Sequence, residues 1–152
     1  MSVFPVAGEV VWIGLRPSRN EPMVSVNEAR VDEKQGLLGD RYAGSSGNRH
    51  LTLIQWEHLA VIEALTGRSI APEILRRNLV VKGINLVALK NHRINIGNAI
   101  VQITGYCHPC SKMESKLGTG GYNAMRGHGG VTARVIKAGV ISISDAITVC
   151  LD

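Results

Sequence analysis

Cys107 and Cys110 form a C-x-x-C pair, and glycine then recurs at 118, 120, 121, 127, 129 and 130. Lys112, Lys116, Arg126 and Arg134 are threaded through the same region, with His108 and His128. Cationic neighbours lower a thiol's pKa and favour the thiolate, the form that ligates metals and attacks electrophiles. Glycines let backbone approach a ligand closely. The chemistry on offer is a soft ligand or nucleophile beside a cradle for an anion.

The cysteine pair has four readings. A zinc ribbon needs a second C-x-x-C or paired histidines, and only Cys150 remains, forty residues on. A thioredoxin-like dithiol belongs after an early strand and opens a long helix, whereas this pair precedes glycines. Both thiols can be small buried hydrophobes, as Cys150 within AITVCL is expected to be. The fourth reading is one working thiolate. The glycine-rich stretch matches neither G-x-x-x-x-G-K-[ST] nor G-x-G-x-x-G, so by itself it reads as a tightly turned loop. Arg126 and Arg134 add a phosphate-binding reading, because arginine can grip phosphate with two parallel hydrogen bonds.

Two further stretches carry charge near turns. Gly39-Asp40-Arg41 reads locally as a turn with an ion pair of its own. Arg76-Arg77-Asn78 reads as basic residues favoured by the dipole at a helix end.

These residues must be positioned by short elements. Residues 8–15 are apolar and β-branched, which predicts a first strand. The run RPSRNEP at 16–22 reads as a surface loop. Val24 to Val31 suggests a strand with an irregularity in its middle, and 32–50 a long functional loop. HLTLI at 50–54 is a short strand. A helix follows over 55–66, with Trp56, Leu59, Ile62 and Leu65 on one face and Gly67 ending it. Pro72 opens a second helix through about Arg76. Short apolar runs at 79–81, 84–89, 94–96, 101–103, 131–135, 140–143 and 146–151 follow the β pattern, with turns at Gly97-Asn98, Ala138-Gly139 and Ser144-Asp145. Many short strands and two helices predict a mainly β, α+β domain: a barrel or sandwich with short helices at one side.

At 152 residues the chain reads as one domain, able to bury a core without staples. Its net charge of +5 raises nucleic acid as a partner. The charge is spread and only 4% of residues are aromatic, so a small anion fits better and nucleic acid is not expected. No run of 18 apolar residues predicts a membrane span, and the first residues lack the pattern of a signal peptide. Three cysteines in no framework pattern argue for a reducing compartment, the cytoplasm.

Taken in order, G-x-x-GDR-x-x-G (36–44), R-x-x-T-L (49–53), RRN-L-V-V-x-G-I-N-L (76–86), T-G-x-C-x-P-C (104–110) and GG-x-x-x-M-R-G-x-GG-V-T-A-R (120–134) resemble the MOSC domain. This is the domain at the C-terminus of eukaryotic molybdenum cofactor sulfurases, known also as small standalone bacterial proteins. The resemblance spans about residues 20–150 and implies a barrel-centred fold. It also implies binding of molybdenum cofactor, a phosphorylated pterin dithiolene holding molybdenum, with either reduction of N-hydroxylated compounds or a carrier role in sulfur or cofactor delivery.

By this resemblance Cys110 is the catalytic cysteine and molybdenum ligand, and the carrier role would use a Cys110 persulfide. Asp40, Arg41, Arg77, Asn78, Arg126 and Arg134 would bind the cofactor, the arginines and Asn78 converging with Cys110 around one pocket. The family's usual histidine after G-D-R is Tyr42 here. The resemblance associates the family with pyridoxal-phosphate enzymes, without implying that this chain binds pyridoxal phosphate. It also implies a separate electron-transfer protein or cysteine desulfurase as partner.

Overall fold

The computed structural model describes residues 4–18, 21–41, 47–109 and 112–150. Tyr42 and Cys110 therefore lie outside the described residues. Among those described, seven strands close into a mixed barrel. In barrel order they are β11 (Ala146–Val149), β7 (Arg93–Ile96), β8 (Ala99–Tyr106), β9 (Val131–Lys137), β5 (Leu51–Gln55), β6 (Leu79–Lys82) and β1 (Gly8–Leu15). Pairing of β1 with β11, Gly8 opposite Ile147, completes the ring. Strand β2 (Val24–Val26) adds to β1 outside the closure. The smaller sheet is β10-β3-β4, with β3 at Glu28–Asp32, β4 at Gly36–Leu37 and β10 at Gly139–Ser142. The expected irregularity between Val24 and Val31 is the point at Asn27 where the chain passes from one sheet to the other.

Most barrel pairs are antiparallel, but β5 and β6 run parallel. A parallel pair needs a crossover, here made by α1 (Trp56–Thr66) and α2 (Pro72–Leu75). Both strands are therefore covered on two faces, which explains their unbroken apolar runs. Leu53, Leu79 and Val81 join the barrel core. Ile54 and Val80 point the other way, into a second core with Ile62, Leu75 and Met125 beneath the helices.

Several expectations are corrected. In α1, Leu59 and Ile62 are buried, but Trp56 and Leu65 are 54% and 61% exposed. A spacing of three falls short of a helical turn by about 60° per step, so the outer members of such a row drift off the buried face. Residues 84–89 do not continue the β pattern. Gly83, at φ +79°, ends β6, and Leu86–Leu89 forms a 3-10 turn held by Leu86 N–H donating to Gln55 Oε1 at 2.8 Å. The glycine-rich stretch is not all loop: α3 (Lys112–Leu117) leads into its first glycine and α4 (Gly121–Met125) lies within it. The Glu114 carboxylate joins them by accepting from the N–H groups of Gly120 (2.8 Å) and Tyr122 (3.1 Å). Cys150 is half-buried rather than buried. No helix among the described residues is long and apolar enough to cross a membrane.

Candidate functional site

Around Leu53, in the middle of β5, one end of the site gathers the end of β1, the starts of β6 and β9, and the end of β8. Pairings of Ile13 and Leu53 with Leu79, and of Val131 with Leu53 and Tyr106, set these ends level. Loops at this end carry most of the residues singled out in the sequence.

Asn78, just before β6, is the structural pin. Its side chain is fully buried. Its Oδ1 accepts from the N–H and hydroxyl of Thr52, at 3.0 and 3.2 Å. Its Nδ2 donates to the Gly14 carbonyl (3.1 Å) and to Asp40 Oδ1 (3.0 Å). The amide thus ties β5, the end of β1 and the Gly39-Asp40-Arg41 turn together, and both its oxygen and its nitrogen are engaged.

Asp40 does not pair with the adjacent Arg41. It faces Arg16, which follows β1: Arg16 Nη2 donates to Oδ2 at 2.8 Å, while its Nε and backbone N–H donate to Oδ1 at 3.1 and 2.8 Å. Burial pushes the Asp40 pKa up, but the hydrogen bonds and charge of Arg16, with the Asn78 amide, outweigh it and hold the carboxyl below its ordinary value.

Above this base lies a cleft of about 310 Å³, lined by Arg16, Arg41, Arg49, Arg76, Arg77, Lys112 and Lys116 together with Cys107 and His108. Arg76 caps α2 in the left-handed region, φ 57°. That conformation is costly for a residue with a side chain. Here it is held by Arg76 donating to the carbonyls of Ser18 (3.2 Å) and Glu21 (2.5 Å). Burial, then repulsion from Arg16 and Arg41, push the Arg76 guanidinium below its ordinary value, against the pull of Asp40. The neighbouring cations repel one another in an arrangement an anion would relieve.

Arg77 is buried. Its Nε donates to the Gly129 carbonyl at 2.7 Å and its Nη1 to Leu75 O at 3.0 Å. It therefore locks the α2–β6 turn to the glycine-rich segment. That segment is also held by Cys107 N–H donating to Gly130 O at 2.8 Å. A Cβ on Gly129 would overlap the Cys107 carbonyl, and one on Gly130 the Leu53 carbonyl. Glycine at these two positions allows the close packing that places Cys107 and His108 at the cleft.

The structure thus brings Arg41 and Arg77 to one cleft, with Asp40 and Asn78 as its foundation. Arg126 and Arg134 line it nowhere. Arg126 is exposed after α4. Arg134 lies on β9, its Nη2 donating to Asn48 Oδ1 at 2.7 Å. Pro109 lines a neighbouring cleft and Lys112 the basic one, while Cys110, between them in sequence, lies outside the described residues. Local reading singled out neither Arg16, in the surface loop 16–22, nor Arg49, in the long functional loop 32–50, although Arg49 opens the R-x-x-T-L motif. Arg76, assigned to a helix dipole, also lines the cleft. Their common signal is positional: each flanks the same end of a barrel strand. Among the described residues no three His, Cys, Asp or Glu side chains gather to hold a metal ion.

The donor set suits the phosphate of a pterin cofactor: guanidinium and ammonium groups beside exposed His108 and buried Cys107. The volume lies at the lower end of the ~300–1,000 Å³ typical of small-molecule sites.

The fold is shared with solved structures. It matches the YuaD protein from Bacillus subtilis with a TM-score of 0.80 and 20% identity, over 93% of this chain and 94% of that one. YiiM from Escherichia coli matches with a TM-score of 0.74 and 20% identity, over 97% of this chain and 71% of that chain. YiiM from Geobacillus stearothermophilus gives 0.76 and 20%, over 95% and 75%. At such identity the likeness speaks for the fold. No protein of curated function matches the sequence. A model of the MOSC domain matches residues 21–148, most of the chain, and the protein therefore belongs to the MOSC domain family, which is associated with molybdenum-cofactor binding or sulfur-related function.

Proposed function

We propose that the chain binds molybdenum cofactor with its phosphate in the basic cleft and Cys110 as the metal's protein ligand, and that it supports reduction of N-hydroxylated compounds. The observation that carries this reading is the meeting of Arg16, Arg41, Arg49, Arg76, Arg77, Lys112 and Lys116 at one cleft beside Cys107 and His108. Arg41, Arg49 and the lysines would hold the phosphate. Arg16 is committed in part to Asp40, and Arg77 to the glycine-rich segment. The concentrated positive charge would attract the anion.

When bound, the cofactor supplies a two-electron redox centre next to a thiolate ligand. The net reaction takes an N–OH group, two electrons and two protons to N–H and water. The electrons would come from a separate electron-transfer protein. The chain's own part is to grip the phosphate, exclude alternatives by charge, and hold the cysteine segment through Arg77 and Gly130.

The test is expression in a host competent for cofactor synthesis, followed by measurement of retained molybdenum and released pterin. Wild type should retain both, and Cys110→Ser should lose molybdenum. Equal retention by both proteins would remove the direct-ligand role. A persulfide on Cys110 seen by mass spectrometry, with no retained molybdenum, would turn the reading to a sulfur carrier supplied by a cysteine desulfurase.

A further inference from the structure

Beside the basic cleft, and divided from it by Cys107 and His108, is a second cleft of about 270 Å³ with the opposite character. Its other lining residues are Val87, Tyr106, Pro109 and the glycines at 127, 129 and 130. Among the described residues no Lys, Arg, Asp or Glu lines it. Val87 and Tyr106 are each 44% exposed, although Leu86 and Leu89, on either side of Val87, are buried. Val87 is thus presented by an anchored turn rather than by a fraying one. The Lys90 ammonium lies over the Tyr106 ring, 5.2 Å from its centroid. The glycine wall keeps the cleft open: at Gly127 an added Cβ would meet no atom within 4 Å.

We infer that this second cleft receives the uncharged, ring-bearing body of a small substrate, with Val87 and Tyr106 as its specificity-determining residues. The inference rests on the reading of the basic cleft as the cofactor side. An anion entering this region would be drawn to the cations next door, and a cation would be repelled by them. A neutral apolar body gains from covering Val87, Tyr106 and Pro109, and the glycine wall admits a flat ring close to backbone. Such a molecule would place its polar reacting end toward the Cys107–His108 border, where the basic cleft begins. The division of labour is spatial: charge holds the cofactor on one side of that border, and apolar contact sorts substrates on the other.

The test uses the full chain without cofactor and ligand-observed saturation-transfer NMR. The probes are benzamide, which is neutral, and benzoate, which carries the same ring on an anion. Benzamide should receive saturation from wild type and should not be displaced by inorganic phosphate. Val87→Asp and Tyr106→Ala should each weaken it about fivefold or more. Benzoate should be displaced by phosphate. In the cofactor-loaded protein, Val87→Asp should raise KM for an aromatic hydroxylamine by a similar factor, with kcat and molybdenum content unchanged. Benzamide that receives no saturation, or whose binding ignores both substitutions, overturns the inference even if molybdenum is retained. Benzamide binding that depends on Val87 in a protein that retains neither pterin nor molybdenum would sustain the neutral-ring cleft and defeat the cofactor reading instead.

Discussion

Asn78 Nδ2 donates to Asp40 Oδ1 over 3.0 Å, and this bond joins a residue at the start of a barrel strand to the turn that presents Arg41. Asn78→Ala would remove that bond together with those to Thr52 and Gly14, leaving buried polar groups without partners. Unsatisfied buried groups cost about 1–3 kcal/mol each. We expect a loss of stability on the order of 3 kcal/mol in urea unfolding. A change below about 0.5 kcal/mol, the range of ordinary surface substitutions, would contradict the pinning role.

Arg41→Ala should behave differently. Its guanidinium lines the cleft, and a hydrogen bond to a charged group is worth about 1.5–3 kcal/mol. Affinity for inorganic phosphate, measured by titration calorimetry, should fall about tenfold while the melting temperature stays nearly constant. Arg126→Ala, outside the cleft lining, should change phosphate affinity less than about twofold, well below that single-bond value. Equal losses from both substitutions would mean that Arg126 reaches the anion after all.

Gly130 and Gly127 should separate close packing from backbone conformation. Both have positive φ, +91° and +82°, but only at Gly130 would a Cβ strike the backbone. Gly127→Ala should cost on the order of 1–2 kcal/mol from conformation alone. Gly130→Ala should exceed about 3 kcal/mol and disturb the Cys107 segment that its carbonyl holds. Thermal melts of the two variants side by side decide the matter.

Acid should weaken the fold before its carboxylates titrate. Burial depresses the His50 pKa, Arg134 depresses it further, and Asp32 opposes them. His50 Nδ1 also accepts from Val135 N–H at 3.0 Å, which requires that nitrogen unprotonated. Burial likewise depresses His58, followed by the charge of His128, against Glu57. The His58 and His128 rings meet edge to face at 5.1 Å, and His128 Nδ1 is buried without a hydrogen-bond partner among the described residues. A depressed folded pKa means that the unfolded chain binds more protons as pH falls below the ordinary histidine value, ~6.5. Stability from His50 and His58 is complete above that value and is lost as pH falls through their folded pKa values. The urea midpoint should drop between pH 7.5 and 5, and the drop should shrink in His50→Gln. A flat midpoint would contradict the assignment.

The barrel strands were legible because alternation and turn pairs are local signals: Ile94 and Ile96 followed by Gly97-Asn98 announce a hairpin without help from the rest of the chain. The apolar runs of β5 and β6 were legible too, although their double-sided burial depends on the crossover helices. The 3-10 turn at Leu86–Leu89 was not, since Gln55, thirty-one residues earlier, holds it. Nor was the order within the glycine-rich segment, where Glu114 supplies a cap that its neighbours do not announce. The family motifs pointed to Asp40, Arg41, Arg77 and Asn78, but not to the difference between foundation and lining. That difference depends on Arg16 claiming Asp40 from twenty-four positions away. The convergence of Arg49 and Lys116 on one cleft is a property of barrel closure that no spacing encodes.

Barrel closure joins Gly8 to Ile147, near opposite ends of the described chain. Contacts of such long sequence separation slow folding, because the chain must search widely before it is rewarded. During synthesis the cations from residues 16 to 116 would emerge well before β11 is available to seal the ring. The nascent chain would then carry an unsealed first strand and a repelling cluster of charge, a period of exposure in which edge pairing with other chains competes with closure. An anion that bound the early segments would shorten that period by neutralising the cluster, so folding yield would rise with the supply of that anion.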